Sequence, residues 1–205
     1  MRLSPRRYRM AARAGAIGET RRRIVEAAKV LHADQGVVAT SWEDIAAGAG
    51  LSTATVYRHF PGLAELIPAC AQSVFDLIKP PTAGEAAVRF SALGSAAKRL
   101  EHLVRESCRC YREGEGWLHA AHRERDFVPS LDQALVVIED SLEVLVAAAV
   151  GEKVSPKDHS ELVVLCDFPF WKSLIDSGLR YNDAEVLIVR LVTTEAARAV
   201  EHKRR

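Results

Sequence analysis

Long hydrophobic runs, turn-rich clusters and alternating strand patterns are all scarce in this sequence of 205 residues. The longest uncharged apolar run extends only from Val144 to Val150, far below the roughly 20 residues that a membrane-spanning helix needs. Helix formers dominate instead, and 48% of the residues are hydrophobic, which is enough to bury a core. The sequence therefore predicts a folded, all-α protein that does not cross a membrane.

Cysteine is also scarce, and the four cysteines follow no zinc-finger spacing: Cys70, Cys108, Cys110 and Cys166. The basic N-terminus is followed by no apolar run of signal-peptide length, so we expect a cytoplasmic protein with reduced thiols. Cys108 and Cys110 point in different directions on a helix and cannot readily bridge each other; a thiol sensor there is left as an alternative.

Catalytic signatures are missing too. The sequence has no Gly-rich phosphate loop, no nucleophile elbow and no zincin helix, and its seven histidines form no triad pattern. His119 and His122 are three residues apart and could face one way, but no further ligand pattern accompanies them, which favours a solvated or hydrogen-bonded pair over a metal site. We therefore expect no enzyme, no metal and no cofactor.

The charge is distributed unevenly although the net charge is only +1. Residues 1–60 contain ten Arg or Lys against five Asp or Glu, whereas residues 61–205 contain 18 against 22. A basic N-terminal part on a mildly acidic body predicts a polyanionic partner for the first part only. Residues 1–18 are Arg-rich without hydrophobic periodicity and are predicted to be a flexible arm, either a solvated tail or a DNA contact.

Hydrophobic periodicity divides the chain into about nine helices, of which the first three occupy residues 19–62. The first extends from about residue 19 to residue 35, and Gly36 suits its C-terminal cap. The second is predicted to begin with a capping box of Thr40 and Glu43, and Ser41 with Asp44 is a competing register.

The second and third helices form a helix-turn-helix unit. Gly50 permits the left-handed backbone of a tight interhelical turn, Ser52 caps the third helix, and Pro61 with Gly62 ends it. Such a unit places its second helix in the major groove of DNA.

Six further helical patterns follow, over residues 63–78, 84–112, 115–125, 130–150, 156–177 and 183–203. Pro169 is predicted to kink the helix that contains it. The last two helices are apolar around much of their circumference, so either the monomer core or a second copy must cover them. We favour a second copy, because a helix-turn-helix protein that reads a palindrome needs a dimer.

Residues 20–66 resemble the N-terminal domain of TetR-family transcriptional regulators. The resemblance rests on the segments TRRRIVEAAKVLHADQG, TSWEDIAAGAG, LSTATVYRHF and PGLAEL, and on the spacing of Gly36, Thr40, Ile45, Ala46, Ala49, Gly50, Ser52, Tyr57 and Phe60. It implies an all-helical homodimer with a DNA-binding domain over residues 19–62 and a ligand-binding and dimerisation domain over residues 63–205. It also implies a repressor that releases a palindromic double-stranded operator when a small-molecule effector binds. A constitutive architectural DNA-binding protein is the alternative.

Eight residues are predicted to contact DNA: Thr40, Ser52, Thr53, Ala54, Thr55, Tyr57, Arg58 and His59. Those from 52 to 55 are short, so the helix can approach base edges closely. Those from 57 to 59 lie later and should grip phosphates, a role that the resemblance implies for Tyr57 and His59. Thr40 can offer its hydroxyl and free backbone N–H groups to a phosphate.

Milder interpretations stay open for several of these residues. Tyr57 could cover the domain core, and Thr40 and Ser52 could serve only as caps. Trp42 could stack on sugar-phosphate or pack on the first helix. Arg21, Arg22 and Arg23 are predicted to add non-specific attraction to DNA. Leu63 departs from the family pattern, in which a Lys at this position reaches a phosphate; the basic arm is predicted to compensate.

Five residues are predicted to line an effector site in the second domain: Phe75, Leu103, Trp117, His122 and Phe127. Such a site is mainly apolar and aromatic with a few polar groups for orientation. Aromatic side chains at helical spacing are more often plain core, which is the competing interpretation for each. Trp117 and Phe127 are favoured because they bracket a segment that borders the pocket in the family's layout.

Overall fold

The computed structural model describes residues 5–151 and 154–203, with the side chains of residues 15–151 and 154–201. Within these ranges every regular element is a helix, which confirms the all-α prediction. The ten helices are α1 (Pro5–Gln35), α2 (Trp42–Ala49), α3 (Thr53–His59), α4 (Leu63–Ile78), α5 (Ala83–Leu93), α6 (Ala96–Glu124), α7 (Pro129–Val150), α8 (Pro156–Cys166), α9 (Phe168–Asp176) and α10 (Tyr181–Lys203).

The first helix begins much earlier than its hydrophobic pattern indicates. It starts at Pro5 instead of near residue 19, so the predicted flexible arm is wrong for residues 5–18. Proline is tolerated at a helix start, and Ala and Arg, which dominate this stretch, are strong helix formers that need no buried face. Residues 1–4 of the predicted arm, and the side chains of residues 5–14, lie outside the described part of the chain.

The start of α2 decides between the two capping registers. Ser41 is the N-cap: its hydroxyl accepts the backbone N–H of Asp44, and the Asp44 carboxylate accepts the backbone N–H of Ser41. The register with Thr40 and Glu43 is therefore wrong. Thr40 instead donates its hydroxyl hydrogen bond to the carbonyl oxygen of Gly36, 2.6 Å away, and so helps to order the connection between α1 and α2.

The break predicted between residues 112 and 115 lies in the middle of a helix. The observed break falls at Gly94, where φ is +71°, and α6 then continues through Gly114 and Gly116 to Glu124. A Cβ on Gly116 would lie 2.9 Å from the Cβ of Ala33 in α1. Gly116 thus interrupts the hydrophobic pattern because α1 needs the space, and not because the backbone turns.

Pro169 separates two helices where a kink is predicted. Asp167 is both the C-cap of α8 and the N-cap of α9, and its carboxylate accepts the backbone N–H of Phe170 at 2.8 Å. Proline in the first turn of a helix is well tolerated, and a helix commonly ends before it. This break turns the predicted nine helices into ten.

Two apolar cores share α4. The smaller core combines α1, α2, α3 and the start of α4, with Ile24, Ile45, Val56 and Phe60 almost fully buried. The larger core combines α4 with the helices that follow it. Leu66 belongs to the first core and Ile67 to the second, so α4 is the joint between two bundles.

Candidate nucleic-acid interface and internal cavity

The third helix has one buried face and one exposed face. Val56 and Phe60, four residues apart, are fully buried in the smaller core, as their spacing predicts. Ser52 caps the helix by accepting the backbone N–H of Thr55 at 3.3 Å, which confirms the predicted cap. Ala54, Tyr57 and Arg58 are exposed, so the face opposite the core is free to meet a partner.

The turn before α3 is fixed by a glycine and an arginine. Gly50 has φ +63° and ψ +42°, which confirms the predicted left-handed turn. The Arg23 guanidinium donates hydrogen bonds to the carbonyl oxygens of Ala49 and, at 3.2 Å, of Gly50. A cation at the C-terminal end of α2 satisfies carbonyls that the helix leaves unpaired and opposes the helix dipole favourably.

A second arginine of α1 fixes the other end of α3. Arg21 donates to the carbonyl oxygen of His59 at 2.8 Å, and its guanidinium carbon lies 4.1 Å from the centre of the Phe60 ring. Arg22, between the two, pairs with Glu19 at 2.7 Å. The prediction of non-specific attraction from these arginines therefore misses the role of two of them, which clamp the helix-turn-helix unit onto α1.

The two aromatic residues of the unit lie against each other. The ring centres of Trp42 and Tyr57 are 5.0 Å apart at an angle of 34°, and Tyr57 remains 44% exposed. Trp42 also packs against the smaller core, which agrees with the packing interpretation of this residue. The contact holds the Tyr57 ring in place while its surroundings stay accessible to solvent.

Three of the predicted DNA-contacting residues have hydroxyl groups that already form hydrogen bonds. The Ser52 and Thr55 hydroxyl oxygens are 3.0 Å apart, and Thr40 is bonded to Gly36. Thr53 and His59 are half-buried. Partial burial lowers the pKa of His59, and the positive charges of Arg58 and Arg21 lower it further. The ring is therefore neutral near pH 7 and offers a single N–H donor.

Leu63 has a structural role at its unusual position. It is half-buried and packs against both cores, directly before Leu66 and Ile67, which separate toward one core each. A leucine here therefore adds apolar contact at the joint between the bundles, where a lysine would reach outward.

The larger bundle contains a cavity of about 410 Å³ between α4, α6 and α7. Its apolar lining comes from Phe75, Ile78, Leu103, Leu118, Ile138, Leu142 and Leu145. Ser107 and Ser141 add hydroxyl groups, and the charged lining residues, Asp76 and Lys79, are exposed. The size and the apolar lining are those of a site for a small organic molecule.

The five predicted effector residues do not all meet at this cavity. Phe75 and Leu103 line it, whereas Trp117, His122 and Phe127 are not among its lining residues. Phe127 is 77% exposed at the turn between α6 and α7, where Val128 turns into the core instead. The His122 ring stacks on Phe168 at 5.2 Å. Periodicity alone could not separate these orientations, because they depend on which helix lies opposite.

All four cysteines are free and buried. Burial raises the pKa of Cys108 to about 12 and that of Cys110 to about 11. Since the thiolate is the reactive form of cysteine, these thiols are poor nucleophiles, which argues against the redox-sensor alternative.

Over the ranges that the structure covers, no helix combines the length and apolarity needed to cross a membrane.

Residues 24–70 match the family model of the bacterial regulatory proteins of the tetR family. The HTH-type transcriptional repressor LfrR of Mycolicibacterium smegmatis is 43% identical over 63 residues, which is 31% of this chain and 32% of that protein. The sequence match thus spans about a third of the relative's length.

Solved structures share the fold over most of the chain. The multidrug binding protein EbrR matches with a TM-score of 0.58 in its complexes with imidazole and with proflavin, at 20% and 18% identity. The matches cover 85% and 86% of this chain and 88% and 99% of EbrR. A transcriptional regulator from Rhodococcus sp. Rha1 has the same TM-score at 16% identity, over 89% of this chain and 96% of its own. The N-terminal match shows that residues 24–70 form a domain of the tetR family of bacterial regulatory proteins, and the solved structures show that the chain shares their all-helical fold.

Proposed function

We propose that the protein is a ligand-responsive repressor of transcription that acts in the cytoplasm. In this proposal a homodimer binds a palindromic double-stranded operator through α3 of each copy and releases it when a small molecule occupies the cavity. The observation that carries the proposal is the braced recognition helix: α3 is buried on one face, clamped by two arginines of α1, and exposed on the other.

Base contacts are assigned to the first turn of α3. Thr53 and Ala54 begin the helix, and their short side chains permit close approach to the major groove. Ser52 and Thr55 share a hydrogen bond across this turn, so the hydroxyl that accepts in this pair keeps its proton for a base edge, and the one that donates can still accept.

Phosphate contacts are assigned to the residues that flank this turn. Tyr57 and Arg58 are exposed, and the neutral His59 ring has a donor to offer. Thr40 lies just before the N-terminus of α2, where unpaired backbone N–H groups and the helix dipole favour an anion. These contacts would set the register of α3 on DNA without reading sequence.

A homodimer is supported by apolar side chains on the outer surface of α8 and α10. Val164 of α8 is 55% exposed, and Leu187 and Leu191 of α10 are half-buried on one flank of their helix. The two helices pack side by side, and we infer that these residues share one outer face. Two such faces together would bury side chains that a monomer leaves partly in water.

An effector is supported by the cavity. Its wall is apolar, its hydroxyl groups can orient a ligand, and its charged residues are exposed, which suits a mostly apolar molecule with a polar or charged end near the opening. EbrR has been crystallised with proflavin, and it shares this fold. That likeness supports a ligand site in this chain without identifying the molecule.

Selection of bound sequences from a random double-stranded DNA pool tests the DNA-binding half of the proposal. We expect a palindromic sequence to be enriched, and fluorescence anisotropy to show tighter binding to it than to a scrambled duplex. Thr53→Ala should change the selected sequence, whereas Arg180→Ala, an exposed arginine far from α3, should leave it unchanged. Enrichment of no sequence would contradict the proposal.

Release of that DNA by small molecules tests the other half. A panel of apolar compounds, uncharged and cationic, should contain some that lower operator affinity. Ser107→Trp, which adds a large side chain to the cavity wall, should abolish their effect while the variant still binds DNA. If the protein binds a specific sequence and no compound that enters the cavity releases it, the architectural alternative is favoured.

A further inference from the structure

The DNA-binding bundle touches the larger bundle at a second place besides α4. There α1 packs directly on α6, and the helices approach so closely that no side chain fits at Gly116. A Cβ there would lie 3.1 Å from the carbonyl oxygen of Ala33 and 2.9 Å from its Cβ. This close approach fixes the position of the end of α1 on α6.

Eight residues beyond Gly116, α6 ends in a buried carboxylate. Glu124 is only 7% exposed, and its Oε2 accepts the backbone N–H groups of Val37 at 2.7 Å and of Val38 at 2.9 Å. Its Oε1 accepts a hydrogen bond from the Arg123 guanidinium at 2.7 Å. The two backbone donors lie 87 and 86 residues away in sequence, in the connection between α1 and α2.

Glu124 is an unfavourable residue for α6 itself. A negative charge at the C-terminal end of a helix opposes the helix dipole, and burial of a carboxylate costs solvation free energy. Burial acts to raise the pKa of Glu124, but hydrogen bonds from Arg123, Val38 and Val37 outweigh it and hold that pKa below its ordinary value. The hydrogen bonds from Val37, Val38 and Arg123 thus stabilise the ionised form of the Glu124 carboxyl.

The connection that it holds leads directly into the helix-turn-helix unit. Gly36 has φ +92°, and a Cβ there would overlap the Glu124 carboxylate. Val37 is 3% exposed and belongs to the larger core, although it lies between two helices of the smaller one. The backbone N–H of Thr40 then bonds to the Val37 carbonyl oxygen at 3.2 Å, immediately before α2 begins.

The same helix forms one wall of the cavity. Leu103, Ser107 and Leu118 of α6 line it, and Leu118 lies about 9 Å along the helix from Glu124, at 1.5 Å per residue. A helix that contacts the cavity along its middle and the α1–α2 connection at its C-terminal end can transmit a small displacement between them.

We propose that Glu124 is a positioning residue that fixes the helix-turn-helix unit on α6, so that the cavity acts on DNA affinity through the hydrogen bonds from Val37 and Val38 to Glu124. The inference rests on the proposed function for its consequence on DNA. The hydrogen bonds themselves are testable without it.

Three variants of the full-length protein test the inference. Glu124→Ala removes the acceptor, Glu124→Gln keeps an acceptor oxygen without the charge, and Asp126→Asn removes an exposed carboxylate two residues away as a matched control. The first measurement is hydrogen exchange of the Val37 and Val38 amides by NMR. We expect at least about 10-fold faster exchange in Glu124→Ala, an intermediate rate in Glu124→Gln and no change in the control.

The second measurement is the affinity for the selected operator. Glu124→Ala should bind about 10-fold more weakly, the effect of losing a hydrogen bond to a charged group, and Glu124→Gln should recover part of the loss.

The third measurement uses a spin label at Ala47→Cys, which is exposed on α2 while the four native cysteines are buried. The distance distribution between labels in the dimer should broaden in Glu124→Ala and stay unchanged in Asp126→Asn.

The outcomes separate the two proposals. Unchanged exchange at Val37 and Val38 would show that Glu124 does not hold the connection. Faster exchange with operator affinity within twofold of the wild type, and an unchanged distance distribution, would reduce Glu124 to local stabilisation; either result overturns the inference. If the wild-type protein binds no selected DNA, the proposed function fails, whereas the exchange rates still decide the role of Glu124. If Glu124→Ala does not fold, Glu124→Gln and Glu124→Asp, which shortens the side chain, give the same comparisons.

Discussion

The helix-turn-helix bundle is small and fastened at its edges by charged side chains, whereas the larger bundle buries long apolar helices around a cavity. In the first, Arg21 and Arg23 tie both ends of the turn unit to α1 through backbone carbonyls. In the second, α4, α6 and α7 enclose about 410 Å³. The hydrogen bonds of the first bundle thus hold its helices in one arrangement, whereas the cavity leaves the helices of the second bundle space to repack. Glu124 and α4 connect them.

The largest effect on operator affinity is expected from a substitution that disrupts the proposed dimer. Leu191→Glu places a charge on the outer face of α10 and should yield monomers, measured by light scattering. Operator affinity should fall by 100-fold or more, since two half-sites are no longer bound together.

Val88→Glu introduces the same side chain at an exposed valine of α5 and should stay dimeric. A Leu191→Glu variant that remains dimeric would show that this face of α10 is not the interface.

A buried histidine of α1 near Glu124 should make the free energy of unfolding sensitive to acid. His32 of α1 is fully buried, and this burial, opposed by the nearby Glu124 charge, lowers the pKa of His32 to about 4 from its ordinary value of 6.5. The unfolded chain binds this proton below pH 6.5, and the folded chain only near pH 4. Stability present above pH 6.5 is therefore lost as the pH falls toward 4, by about 3 kcal/mol.

Urea unfolding at several pH values measures this loss. His32→Leu should remove most of the slope between pH 6.5 and 4.5, and His119→Leu, at an exposed histidine of α6, should retain it. If the free energy of unfolding depends on pH in the same way in the wild type and in His32→Leu, folding does not lower the pKa of His32.

A substitution at an exposed residue of the recognition helix α3 should lower operator affinity and leave stability unchanged. Arg58→Ala removes an exposed side chain and should weaken operator binding by about 10-fold and reduce the slope of log K against log salt by about 1. Its melting temperature should match that of the wild type. An unchanged salt slope would place Arg58 away from phosphate.

The smallest effect is expected from the arginines that clamp the turn unit onto α1. Their loss should lower stability, whereas the loss of Arg58 should lower DNA affinity. Arg23→Ala leaves the Ala49 and Gly50 carbonyls without their donor and should destabilise the smaller bundle by about 1 kcal/mol. Arg22→Ala removes the neighbouring arginine, which is exposed and pairs with Glu19, and should cost little. Equal stability losses in the two variants would contradict the clamp.

The turn unit was largely predictable from sequence, because its signals are local. The Gly50 turn, the Ser52 cap and the buried spacing of Val56 and Phe60 each depend on neighbours a few residues away, and the structure bears them out. The failures there concern contacts between distant residues: the hydrogen bonds of Arg21 and Arg23 cannot be read from the sequence of α1.

The larger bundle was less predictable for the same reason. Gly116 looks like a helix breaker until Ala33 is placed against it, and Phe127 looks like a pocket residue until Val128 takes the buried position. The link from Glu124 to Val37 spans 87 residues, and no local pattern signals it. Cavity walls and joints between bundles depend on such pairings, so helical periodicity alone left them undetermined.

The most direct test of the account measures operator affinity of the full-length dimer with and without a compound that enters the cavity, in the wild type and in Glu124→Ala. We expect the compound to weaken wild-type binding by at least about 5-fold, the lower range of allosteric coupling, and to weaken Glu124→Ala binding much less. Equal weakening in both proteins would contradict transmission through Glu124. Specific binding that no cavity ligand weakens would contradict the ligand-responsive repressor itself.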